Sequence, residues 1–195
     1  LRALVGLLFF AAGVRIWKFV LVLCAGLTSI PLIWSLLHEY QQQRILTFFD
    51  PERDPLGAGY HILQSKIALG SGNIFGKGFL GGTQSHLNFL PEKQNDFIFT
   101  MLAEEFGIVG AISLLSLYMI LIGYGLAIAW LSRNQFSRLL GLGVTVTLFL
   151  YVFSNIAMVT GLIPVVGVPL PLVSYGGTAL LTVMIGFGFF MCIHI

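Results

Sequence analysis

Asp96, Thr100 and Glu104 stand four residues apart, so a helix over this stretch carries all three along one stripe. Phe97, Phe99 and Phe106 surround the stripe and lower the local dielectric. Desolvation of that kind raises a carboxyl's affinity for protons and suits it to accept one near neutral pH. Asp96 is therefore the first candidate for a general base. The plainer alternative is an acidic residue at a helix N-terminus, favoured there by the macrodipole. Glu104 and Glu105 form an acidic pair beside it, in a supporting role or simply solvated at an interface. Asp50, Glu52 and Asp54 alternate with Pro51, Arg53 and Pro55 and read as turn and capping residues.

Five cations share the interval with these acids: Arg44, Arg53, Lys66, Lys77 and Lys93. Such a set can hold a phosphate or pyrophosphate head group, with interfacial anchoring as the alternative. His38, His61, His86 and His194 are scattered, with no HExxH spacing, which argues against a zinc site. Cys24 and Cys192 lie in apolar runs and read as small hydrophobes. The stretch GLIPVVGVPLPLVSYGGT, 161–178, holds three prolines, four glycines and no charge. A backbone so interrupted must pack within protein or line a cavity if it lies at membrane depth. Its hydroxyls are Ser174, Tyr175 and Thr178.

The elements that must position these groups are mostly membrane spans. Only 9% of the 195 residues are charged and the mean hydropathy is +0.93, against about 25% charged residues in soluble domains. All eight acids fall between Glu39 and Glu105. Each charge is costly in hydrocarbon, so that interval is polar for a reason. Net charge is +2, too small to point to nucleic acid. Disorder is excluded by the apolar composition.

Apolar runs at 19–37, 106–131, 139–164 and 172–195 give four full transmembrane helices, and 3–14 reads as a truncated fifth rather than a signal peptide. Pro31 predicts a kink in the first. The fold class is all-α: a polytopic helical membrane protein. Its parts are 1–37, an outer loop at 38–105, and 106–195 with a re-entrant connection at 161–178. The short turns holding Arg15 and Lys18, and Arg133 and Arg138, carry cations without acids and so face the cytoplasm. Trp17, Trp130 and Trp34 fit interfacial belts. The long segment 38–105 and the connection then face outward.

Within the outer segment, Asp54-Pro55 starts a helix that Gly70 stops. Leu56, Tyr60, Leu63 and Ile67 form the apolar face of an interfacial helix. Residues 70–82 lack the GxxxxGK[ST] phosphate-loop pattern and read as tight turns around Lys77. A second short helix starts near Asn95 or Asp96, with Phe97, Ile98, Met101, Leu102 and Phe106 as its apolar face.

Taken together these stretches resemble the RodA/FtsW/SpoVE family, the SEDS glycosyltransferases of bacteria. Residues 155–179, with Gly161, Pro164, Gly167, Pro171, Ser174, Gly176 and Gly177 in place, are similar to its C-terminal signature. The segments DPERDPLGAGYHILQSKIALGSG and GTQSHLNFLPEKQNDFIFTMLAEEFG resemble the RodA branch. The resemblance covers essentially the whole chain and matches the C-terminal half of the family's roughly ten spans. Asn95 and Thr178 depart from the usual Thr and Ser.

The resemblance implies that Asp96 is the family's essential aspartate. It implies polymerisation of lipid II into glycan strands on the outer face of the cytoplasmic membrane, with a class B penicillin-binding protein as partner. It favours elongation and rod shape over division. Arg44, Lys66, Lys77 and Lys93, with Glu104 and Ser174, are then candidates for contact with substrate. A lipid pyrophosphate leaves as a stable anion, so one base for the acceptor hydroxyl suffices, where glycosidases need two carboxylates. The sequence points to no particular cofactor; the acidic outer segment would tolerate a divalent cation at the pyrophosphate, without dedicated ligand spacing for one. The alternative is a lipid-linked precursor flippase, which predicts polar groups continuing through the membrane. A third reading is a scaffold that only binds the penicillin-binding protein.

Overall fold

The computed structural model describes residues 6, 11, 13–38, 41–42, 46, 58–79, 81–82, 95–164 and 167–194. Among the described residues the fold has five helices: α1, Ile16–Leu36; α2, Ala58–Ser71; α3, Ile98–Leu131; α4, Gln135–Val159; and α5, Gly177–His194. No strand occurs among the described residues. Arg44, Arg53, Lys93, the 50–55 capping stretch and most of the expected truncated helix lie outside them.

Of the four expected spans, α3 and α4 are long and apolar enough to cross a membrane, while the described apolar parts of α1 and α5 are shorter, Ile16–Ser29 and Gly177–Ile193. The helix expected near Asp96 and the span expected from 106 are one element. α3 runs through both, with a break in helical geometry at Gly107 (φ 68°, ψ −162°). α4 stops before Pro164, because Gly161 takes a left-handed φ of 74°. There Gly161 N–H donates to Met158 O at 3.0 Å and Leu162 N–H to Ala157 O at 2.7 Å. This is a Schellman cap, which satisfies carbonyls that a helix end would otherwise orphan.

α3 packs along α4, α2 crosses both near the Asp96 end, and α5 closes against α4 and α3. The core joins Phe97, Phe99 and Tyr118 of α3 and its entry to Val152, Met158, Val159 and Leu170. The buried stripe of the first turns of α3 is Phe99, Thr100, Ala103, Glu104 and Gly107, whereas Phe106 is exposed. The apolar face expected there is thus partly turned outward. In α2, Ile62, Ser65 and Ala68 are buried against the protein, while Leu63 and Ile67, of the apolar face expected at the membrane surface, are exposed. In hydrocarbon an exposed apolar side chain costs nothing, so close packing goes to small and hydrogen-bonded residues instead.

Candidate functional site

Asp96 sits in a turn at 95–97 immediately before α3, half-buried. The first helical bond uses Phe97 O, accepted from Met101 N–H. The carbonyls of Asn95 and Asp96 precede that ladder and need other donors. Side chains from elsewhere supply them. The Ser174 hydroxyl donates to Asn95 O, and Asn155 Nδ2 donates to Asp96 O at 2.9 Å. Asn155 lies on α4 and is 0% exposed. Its Nδ2 also donates to Val168 O at 2.7 Å. Its Oδ1 is buried with no partner among the described residues.

The Asp96 carboxylate rests against the connection between α4 and α5. A Cβ built on Gly167 would stand 3.2 Å from Asp96 Oδ2, and Gly167 has φ 69°. Only glycine takes that backbone without strain and leaves room for the carboxylate. The connection is pinned at two further points. Ser174 Oγ accepts from Leu170 N–H at 2.8 Å. Tyr118 Oη, from the buried face of α3, donates to Pro171 O. These bonds bracket Leu172, which holds a left-handed φ of 66°, an uncommon conformation for a residue with a side chain.

Lys66 reaches the same connection from α2. A Cβ on Gly161 would fall 2.4 Å from Lys66 Cε and 2.7 Å from Nζ. The lysine stem therefore lies over a bare glycine, and the residue is exposed. Its neighbour Ser65 is buried and fixes the crossing: its hydroxyl donates to Val159 O at 2.8 Å and shares a 2.8 Å hydrogen bond with the Thr100 hydroxyl. Asp96 and Lys66 thus contact glycines six residues apart on one connection.

Glu104 and Lys77 form a second cluster. Glu104 is 1% exposed and Lys77 28%, with Nζ to Oε1 at 2.7 Å. The turns of 72–78 lie against the break in α3 backbone to backbone. Lys77 N–H and Gly78 N–H donate to Glu104 O and Glu105 O, both at 3.0 Å, while Ile108 N–H donates to Asn73 O at 3.0 Å and Val109 N–H to Ile74 O at 3.2 Å. Groups freed by the break are satisfied by the loop. The approach needs glycine on both sides: a Cβ at Gly72, Gly76 or Gly107 would lie 2.1, 2.0 or 2.4 Å from backbone atoms.

Of the residues expected to do chemistry, Asp96 and Lys66 each lie against the 161–176 connection, at Gly167 and Gly161, and Ser174 is part of it. Lys77 and Glu104 pair with each other, and Arg44 and Lys93 lie outside the described residues. Ser174 was expected to face substrate; the structure gives its hydroxyl two protein partners. Among the described residues no three His, Cys, Asp or Glu side chains group as a metal site. Sequence reasoning gave no role to Asn155, Ser65 or Tyr118. Asn155 carried a usable signal, a carboxamide inside an apolar helix, where a polar side chain is costly.

The sequence pattern of the FtsW/RodA/SpoVE family, described as cell cycle proteins, matches residues 1–195. This chain belongs to that family. It is 60% identical over 166 residues to the peptidoglycan glycosyltransferase MrdB of Escherichia coli K12, covering 85% of this chain and 45% of that one. It is 43% identical over 158 residues to the peptidoglycan glycosyltransferase RodA of Treponema pallidum, covering 81% and 36%. The stage V sporulation protein E of Bacillus subtilis is 39% identical over 180 residues, covering 92% and 48%. Of these three relatives, the two peptidoglycan glycosyltransferases are the more similar in sequence. The chain spans about half the length or less of these relatives.

A solved peptidoglycan synthase complex, described by its coordination of polymerization and crosslinking, superimposes with a TM-score of 0.80 over 98% of this chain and 52% of that one, at 30% identity. A mutant of the rod shape determining protein RodA of Thermus thermophilus gives 0.52 over 66% and 39%, at 34% identity. An all-helical membrane protein of this family therefore accounts for both the apolar surface and the inverted packing.

Proposed function

We propose that this chain carries the catalytic base of a peptidoglycan glycosyltransferase that polymerises lipid II during cell-wall elongation. The observation that carries the reading is the held turn at Asp96. Two successive carbonyls are fixed by Ser174 and Asn155, and the carboxylate lies against a bare glycine, in a family with members named peptidoglycan glycosyltransferase.

Asp96 takes the proton from the 4-hydroxyl of the acceptor GlcNAc. The hydroxyl oxygen attacks the anomeric carbon of the donor with inversion, and the bond from that carbon to the lipid pyrophosphate breaks. The pyrophosphate leaves as an anion with the bonding pair, so no acid need protonate it. Lys66 is the described cation nearest to this role, since it rests on the same connection as Asp96. Arg44 and Lys93 are further candidates by charge. Lys77 acts at a distance, by holding the loop against α3.

In this reading the protein is multi-pass in the bacterial cytoplasmic membrane, with α1, α3, α4 and α5 as spans. Residues 38–105 and the 161–178 connection lie on the outer face. The partner is a class B penicillin-binding protein, in keeping with the synthase complex that this chain resembles. The test is reconstitution of a protein of the relatives' full length carrying this chain, with its partner's transpeptidase blocked. Conversion of lipid II into glycan strands is the expected result. Lipid II that crosses vesicle membranes unpolymerised would point to the flippase instead.

A further inference from the structure

Asn155 does something that packing alone does not ask for. It is 0% exposed on an apolar helix, and an apolar side chain would fill that space at no polar cost. Both of its described partners are backbone carbonyls, Asp96 O at 2.9 Å and Val168 O at 2.7 Å. A carbonyl can only accept, so only a group with two donors serves both. A hydroxyl offers one donor, and a lysine or arginine would bring a charge into the interior. The carboxamide is the small neutral side chain that fits.

Val168 follows Gly167, the residue against which Asp96 Oδ2 rests. One amide group therefore joins the backbone of Asp96 to the backbone beside its own carboxylate. We infer that Asn155 is a positioning residue for glycosyl transfer, which fixes the direction of the Asp96 carboxylate without touching the sugars. This inference rests on the reading of Asp96 as the base. Gly167 acts from the opposite side, by leaving the space that the carboxylate occupies.

A base displaced by about 1 Å can lose on the order of a hundredfold in rate. The experiment measures lipid II polymerisation by a full-length protein carrying this chain, with its penicillin-binding partner, across substrate concentration and pH. Asn155→Ala is expected to lower kcat by about 10- to 100-fold while KM for lipid II stays within about twofold. Its pH–rate profile is expected to move, because the surroundings of the carboxylate change. A purely structural loss would scale that profile without moving it. Gly167 is itself exposed, and Gly167→Ala decides the matter should Asn155→Ala fail to fold; the same fall in kcat at steady KM is expected.

Folded variants that keep at least about half the wild-type kcat, or that lose activity with an unmoved pH profile, would overturn the inference. Asp96→Asn, measured alongside, separates the two readings. If Asp96→Asn polymerises normally, the base itself is misassigned. If it is inactive while Asn155→Ala and Gly167→Ala remain active, the positioning role alone is wrong.

Discussion

The Lys77–Glu104 pair is asymmetric, and the asymmetry has a measurable consequence. Glu104 is 1% exposed and Lys77 28%, so removal of the lysine takes the ion partner from a buried carboxylate, whereas neutralising the glutamate leaves an ammonium that can still meet water. Breaking a buried pair from one side costs about 3–5 kcal/mol. Lys77→Met is expected to approach that loss and Glu104→Gln to cost clearly less, read by thermal unfolding in detergent. Equal losses would mean that the pair is solvated. Asp96 and Glu104 were legible as candidates because acids are rare in so apolar a chain. The division of labour between them was not legible. It depends on which donors reach each one, and Asn155 and Lys77 come from 59 and 27 residues away. Burying Asn155 Oδ1 with no partner among the described residues costs about 1–3 kcal/mol, which the two carbonyls served by Nδ2 help to offset.

At the scale of elements, the 72–78 turns and the break at Gly107 form one unit, in which the loop replaces helix hydrogen bonds. Gly76 and Gly78 separate the two costs of substitution. Both have left-handed φ, 79° and 93°, but a Cβ at Gly76 would lie 2.0 Å from Glu105 O, while Gly78 has open space. Gly78→Ala is expected to cost only the backbone penalty of about 1–2 kcal/mol. Gly76→Ala must also push the loop off α3, so a much larger fall in unfolding temperature is expected. Matching values would show that the loop is not held where the hydrogen bonds place it. The tight turns were readable from glycine content, and α3 and α4 from their long apolar runs. Their burial was not. The spacing of Leu63 and Ile67 in α2 reads as an interfacial face and both are exposed, but that Ser65 and Ala68 would be the buried side was not readable from it. Likewise Pro164 was an apparent end for α4, yet the Schellman cap at Gly161 ends it sooner.

Over the whole molecule, apolar side chains cover the outside: Trp17 and Leu23 on α1, Ile120 and Trp130 on α3 and Met191 on α5 are all more than 60% exposed. Expressed in bacteria, the chain is therefore expected in the membrane fraction and resistant to extraction at alkaline pH. Release of the bulk of it by alkali would contradict a spanning arrangement. Composition made that class legible, whereas the way α2 and the 161–176 connection converge on the start of α3, beside Asp96, required the fold. The central claim is that this convergence holds a catalytic base. Its most direct test compares wild type with Asp96→Asn in a full-length protein bound to its penicillin-binding partner, with transpeptidation blocked, by the initial rate of glycan-strand formation from lipid II. Asparagine keeps the shape and removes the base, so a loss of at least about a hundredfold is expected, with the protein still folded and partner-bound. Strand formation by Asp96→Asn at the wild-type rate would contradict the account.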